Sequence, residues 1–118
     1  MNTHRLASLC AIAVLSAPTL GLAADVEAGL AAVTDLGGVN GTALACSDMK
    51  SAARARELML AHAPKTPRFG AAYEEATNAA FNAQTRSGKS CADPVERTAQ
   101  LNQLALRLGE TLPIAPKQ

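Results

Sequence analysis

The chain has 118 residues, 11 Lys/Arg against 10 Asp/Glu, a formal net charge of +1, no Trp, one Tyr and two Phe. That length holds one domain and not two, and the near-zero charge excludes a nucleic-acid binder that works through a basic excess. With so few large side chains the core is thin, in a domain small enough to bury limited surface.

Residues 1–24 begin with Arg5 and the amino terminus, continue through the apolar run Leu6–Leu15, and end in the small-residue segment Ser16–Ala24, interrupted by Pro18. Positive, apolar and small, in that order, is the pattern of a cleavable secretory signal. Cleavage after Ala23 places Gly21 and Ala23 at the small-residue positions, removes 23 of the 118 residues and leaves 95. A spanning helix needs about 20 consecutive apolar residues, which Pro18 and the hydroxyl residues deny this segment, so no stable membrane anchor is expected after cleavage. Cys10 lies inside the apolar run after Leu9, not behind a small residue at its end, and is expected to leave with the signal rather than carry a lipid.

Two cysteines remain, Cys46 and Cys91. In an exported chain they predict an oxidising compartment and one disulfide. Closing that loop stabilises by about 4 kcal/mol through loop-closure entropy, a large share of the roughly 5–15 kcal/mol typical of a domain.

No stretch alternates long enough to predict a strand, and four stretches follow the 3.6-residue period. The first predicted helix covers about Asp25 to Ala45, with Val26, Leu30, Val33, Gly37 and Leu44 on one face. Its glycines at 37, 38 and 41 either break it or, through the Gly37-xxx-Gly41 spacing, let another helix approach closely. The second runs from about Met49 to Ala63, capped by Ser47 or Asp48 and stopped by Pro64. The third opens on Thr66-Pro67 and runs to about Thr85, with Phe69, Tyr73, Ala76, Ala80 and Phe81 as its stripe. The fourth opens on Asp93-Pro-Val-Glu96, a capping-box pattern with proline at the first position. It runs to about Leu108, closed by Gly109, with residues 111–118 as a loose tail. In an up-down-up-down order both cysteines fall at the same end, between the first and second helices and between the third and fourth.

Motifs that carry chemistry are absent: no Gly-rich phosphate loop, no C-x-x-C, no H-E-x-x-H, no EF-hand loop. A disulfide removes the free thiol a cysteine nucleophile needs. A serine triad would need His62, the only mature histidine, and no G-x-S-x-G turn accompanies it. Polar residues at apolar positions are the remaining signals. Arg56 lies in the arc formed by Met49, Ala52, Ala53, Met59, Leu60 and Ala63. Asn40 sits among Leu30, Val33 and Leu36, and Asn102 beside Val95, Ala99 and Leu106. All three, with Thr77, fall about 10 Å below the cysteine end. They predict a polar layer holding Arg56; the alternative is a small anion-binding pocket centred on Arg56. Met59 and His62 form an i, i+3 pair of soft ligands, which spacing explains equally as one core methionine and one histidine at a helix end. Lys65 and Arg68, between prolines, could dock an acidic partner. The fourth helix carries apolar residues around more than half its circumference, so either it is deeply embedded or one edge is an interface.

These readings converge on an all-α, small up-down four-helix bundle stapled by one disulfide, with residues 1–23 a signal peptide, 24–110 a helical domain and 111–118 a tail. Function is expected to be non-enzymatic: a periplasmic or secreted accessory, inhibitor or chaperone-like module that binds a protein partner or a second copy through the fourth helix. Neither cofactor nor metal is expected. The alternative is a small-ligand or metal carrier using Arg56 or Met59 with His62. The general plan resembles that of small disulfide-stapled periplasmic helical proteins such as acid-stress chaperones, an architectural analogy that no motif carries.

Overall fold

Proline and short polar side chains set where the helices begin. The computed structural model describes the backbone of residues 20–114 and the side chains of residues 25–114. Four helices fill them, α1 Leu20–Ala45, α2 Met49–His62, α3 Pro67–Ser87 and α4 Pro94–Thr111, with no strand among the described residues. The proposed signal falls on residues 1–23, of which 1–19 lie outside the described residues; α1 begins at Leu20, before the expected Asp25.

Asp48 caps α2 by accepting from the Ser51 N–H at 3.2 Å. Thr66 is extended ahead of Pro67, which fixes the start of α3 by backbone restriction, since its side chain makes no capping bond. Asp93 accepts from the Val95 N–H at 2.9 Å and opens α4. At the far ends, Gly88 (φ 64°) stops α3 in the left-handed conformation that glycine adopts without penalty. Gly109 does not close α4: the helix passes through it to Thr111, and the Leu112 N–H returns to the Leu108 carbonyl at 2.8 Å. The tail is therefore tied down at its start, where Leu112 packs over Gly29. Residues 115–118 lie outside the described residues.

The end of α1 is a Schellman turn built without glycine. Ser47 takes φ 56°, its N–H bonding the Leu44 carbonyl at 3.2 Å while the Asp48 N–H bonds the Ala43 carbonyl at 2.8 Å. Asp48 thus ends one helix with its backbone and starts the next with its side chain.

Helix α1 is unbroken through its glycines, and they decide the topology. A Cβ on Gly37 would lie 2.5 Å from the Tyr73 carbonyl oxygen, and one on Gly41 would lie 2.9 Å from the Phe81 nitrogen and closer still to the Thr77 carbonyl. Only glycine permits that approach of the α3 backbone. The residue pairs advance in step, Gly37 with Tyr73 and Gly41 with Thr77, so α1 and α3 run parallel. In a square up-down bundle these helices would stand on a diagonal. Here they are the most intimate pair, α1 touches all three other helices, and α2 and α4 pack on each other and on α1. Helix α3 rides on α1 without close backbone packing on α2 or α4.

The core lies mainly between α1, α2 and α4. Leu36 and Val33 of α1 and Leu108 of α4 are fully buried, with Ala55, Leu58, Leu101 and Leu104 around them and Phe69 closing the lower end. Each such large side chain contributes about 1.5–3 kcal/mol by leaving water. Cys46, just past α1, and Cys91, just before α4, are joined at one end of the bundle with Cα atoms 5.8 Å apart, the placement that the up-down order requires.

Candidate functional site

Among the described residues the buried arginine is Arg97, not Arg56. Arg97 occupies the position four residues before Leu101 and seven before Leu104, on the inward stripe of α4, and is 4% exposed. Its Nε donates to Asp48 Oδ2 at 2.8 Å and its Nη1 to the Ala92 carbonyl at 3.1 Å. The Asp48 side chain is itself only 10% exposed. Hydrogen bonding from Ser51, then from Arg97, holds its carboxyl below the ordinary carboxylate value. One carboxylate therefore joins the α1–α2 turn to α4 directly beside the disulfide, so that end carries both a covalent and an ionic clamp. Sequence reasoning passed over Arg97, although its spacing to Leu101, Leu104 and Leu108 was the signal.

The expected four-residue polar layer is divided. Asn40 is buried and its Nδ2 donates to Thr77 Oγ1 at 3.2 Å, tying α1 to α3 just beside the Gly41 contact. Asn102 is exposed on α4, on a shallow groove shared with Lys50, Ser51 and Arg54 of α2. Arg56 is exposed rather than held in the layer. The buried arc of α2 is Ser51, Ala52, Ala55 and Leu58, and the Met49–Ala53–Arg56–Leu60 line lies beside it. A square bundle would have covered that line with α3; because α3 sits tightly on α1, it stays open, with Met49 55% and Leu60 63% exposed.

What opens there is a cavity of about 400 Å³ between α2 and α3, floored by Asn40 and walled by Leu44, Met49, Ala52, Ala53, Arg56 and Tyr73. Arg56 is the one charged residue lining it. The Tyr73 hydroxyl is buried and hydrogen-bonds to no protein group among the described residues. Such a group costs about 1–3 kcal/mol when nothing satisfies it. Burial pushes the phenol above its ordinary pKa, against a smaller opposing effect of the Arg56 charge.

The other expected residues have local roles. Lys65 donates to the Leu60 carbonyl at 2.8 Å, satisfying an end group of α2. Arg68 pairs with Glu27 of α1 at 2.6 Å with both side chains well exposed, an arrangement worth at most about 1 kcal/mol. His62 Nδ1 lies 2.8 Å from the Leu112 carbonyl, which fixes Nδ1–H as the donor, and Met59 is half-buried against the core. Among the described residues no group of three or more His, Cys, Asp or Glu comes together as a metal site.

Helix α4 is not deeply embedded. Its buried line is Arg97, Leu101, Leu104 and Leu108, and on the opposite side Val95, Ala99 and Leu106 face solvent, Val95 at 71% and Leu106 at 72% exposure. These positions are spaced i, i+4, i+11 along about 16 Å of one face, with the exposed, uncharged Asn102 on the same line between Ala99 and Leu106 and Thr98 beside it.

No helix among the described residues is long and apolar enough to cross a membrane. Comparison with protein-family models, with characterised proteins and with solved structures found no match to this chain.

Proposed function

We propose that this protein is a small exported helical module, resident in the periplasm or secreted, that binds a protein partner as an accessory, inhibitor or chaperone-like factor without catalysing a reaction. The outward stripe of Val95, Ala99 and Leu106 supports the binding role most directly. Nothing in the fold needs these residues: the inward face of α4 already supplies its share of the core. Large aliphatic side chains on the solvent face of a helix carry a solvation cost that a partner's apolar surface removes. Export is supported by the Cys46–Cys91 disulfide, which persists in oxidising compartments, together with the signal-like order of residues 1–23. A non-catalytic role fits the local chemistry, since both mature cysteines are bonded to each other and the His62 Nδ1–H is spent on a backbone carbonyl.

The test is affinity capture from the native envelope fraction with the processed protein and with a Val95→Glu/Leu106→Glu variant. Both positions are exposed, so the variant should unfold within about 0.5 kcal/mol of the parent. A discrete protein retained by the parent and lost from the variant supports the reading. Equal capture by both removes α4 from it. A parent that sediments as a dimer, with a monomeric variant, would make a second copy the partner.

A further inference from the structure

We propose that the cavity between α2 and α3 is a binding site for a carboxylate carried on a small apolar body. Its volume, about 400 Å³, falls within the range of small-molecule sites. Its walls are aliphatic, Leu44, Met49, Ala52 and Ala53, with Leu44 38% and Met49 55% exposed, so apolar surface is left in contact with water. Against that wall stand two hydrogen-bond donors from different helices, Arg56 of α2 and Tyr73 of α3.

Their partners decide the ligand's charge. Among the described residues Arg54, Arg68, Arg97 and Arg107 each pair with a carboxylate, whereas Arg56 and Arg86 make neither an ion pair nor a side-chain hydrogen bond, and of these two only Arg56 lines a cavity. No Asp or Glu lines the cavity. The Tyr73 hydroxyl is buried beside it without a protein partner, and the Arg56 charge reaches the phenol. An unpaired guanidinium lining an apolar cavity, with an unpartnered phenolic O–H buried beside it, calls for an acceptor with a single negative charge. A carboxylate takes the fork through two oxygens and the phenol through a remaining lone pair. A phosphate dianion would find one cation where it needs more. The rest of the ligand would lie along Leu44 and Met49. The cavity and the α4 stripe involve different helices and residues, so this site stands or falls independently of the protein-partner reading.

The shared chemistry, an apolar group ending in a carboxylate, belongs both to free acids and to peptide C-termini, and two arms separate them. Octanoate and 4-phenylbutyrate are titrated into the full processed protein by calorimetry, with octanamide as the uncharged control. The peptide acetyl-Ala-Ala-Leu-Leu is titrated as free acid and as C-terminal amide. Saturable binding by either acid series, at least tenfold tighter than its amide, is the expected result, and whichever series binds identifies the source. Arg56→Gln should weaken binding at least tenfold without moving the melting temperature of the ligand-free protein, because Arg56 holds nothing in the fold. Tyr73→Phe should weaken binding severalfold while leaving the ligand-free protein at least as stable. Absence of binding by all carboxylates at millimolar concentration, equal binding of acids and amides, or unchanged affinity in Arg56→Gln would each overturn the site.

Discussion

Breaking the Asp48–Arg97 pair tests the end of the bundle where the chain's cross-links meet. Arg97→Met keeps the aliphatic stem on the inward stripe of α4 but removes both hydrogen bonds, to Asp48 Oδ2 and to the Ala92 carbonyl. Loss of one partner of a buried pair costs about 3–5 kcal/mol, most of it the penalty of the charge left behind. Asp48 keeps the Ser51 N–H and a sliver of solvent exposure, which places the expected loss near the lower bound, about 3 kcal/mol. Asp48→Asn retains the capping acceptor yet strands the Arg97 charge, and should lose a similar amount. Neither cost adds to the other, since the double variant buries no unpaired charge. We expect it to lose no more than about 4 kcal/mol, a coupling of roughly 2 kcal/mol. Urea unfolding with the disulfide intact measures all four proteins. Single losses below about 1 kcal/mol, or a double variant at the full sum of the singles, would refute the buried-pair account. The pH dependence follows with a definite sign. The Asp48 carboxyl titrates lower in the folded protein than in the unfolded chain. Its contribution is therefore complete above the ordinary carboxylate pKa of about 4 and is lost as pH falls through the lowered folded value. Arg97→Met should reduce that acid-side loss without abolishing it, because hydrogen bonding from Ser51, the larger cause of the lowered value, remains.

Three further outcomes probe separate contacts. Gly41→Ala would drive a methyl into the α3 backbone at Thr77 and should destabilise by about 2 kcal/mol, within the overpacking range, whereas Gly38→Ala meets nothing within 4 Å and should stabilise by about 0.5–1 kcal/mol; thermal melts of the two compare a contact glycine with a free one on the same helix. Ser47→Gly relieves a left-handed serine and should raise stability by up to about 1 kcal/mol in urea, a gain that vanishes if the Schellman turn is absent. Tyr73→Phe removes a buried hydroxyl without a protein partner and should raise the melting midpoint of the ligand-free protein, equivalent to about 1 kcal/mol; a loss of that size would mean the hydroxyl is satisfied.

Helix existence, direction and the disulfide were legible because each had a local cause: Pro64, Thr66-Pro67 and Asp93-Pro94 mark the breaks, and the up-down order brings Cys46 to Cys91. Neighbour relations were not. Periodicity names the apolar face of a helix but not which helix covers it. The Gly37-xxx-Gly41 spacing held the answer as one of two readings, and the choice between a break and a close approach depends on the α3 backbone, which is distant in sequence. That one contact explains why Arg56 is exposed: with α3 drawn onto α1, the flank of α2 carrying Met49, Ala53 and Arg56 is left without a helix over it. Arg97 was missed by the same limitation. Its stripe is readable, but its partner Asp48 lies 49 residues away, and the sequence marks Asp48 only as a helix cap, a role that satisfies one of its oxygens. The outer stripe of α4 was visible as an excess of apolar residues, and only packing could show which of them face inward.

Site-specific photo-crosslinking in cells tests the proposed partner surface most directly. Ala99, at the centre of the outward α4 stripe, is replaced by a benzophenone amino acid, with Asn78 on the exposed side of α3 as the matched control. A discrete crosslinked species from position 99, absent from position 78 and abolished by Leu106→Glu, is the expected result. A protein that crosslinks to nothing from position 99, or equally from both positions, would contradict the assignment of α4 as the surface through which this protein acts.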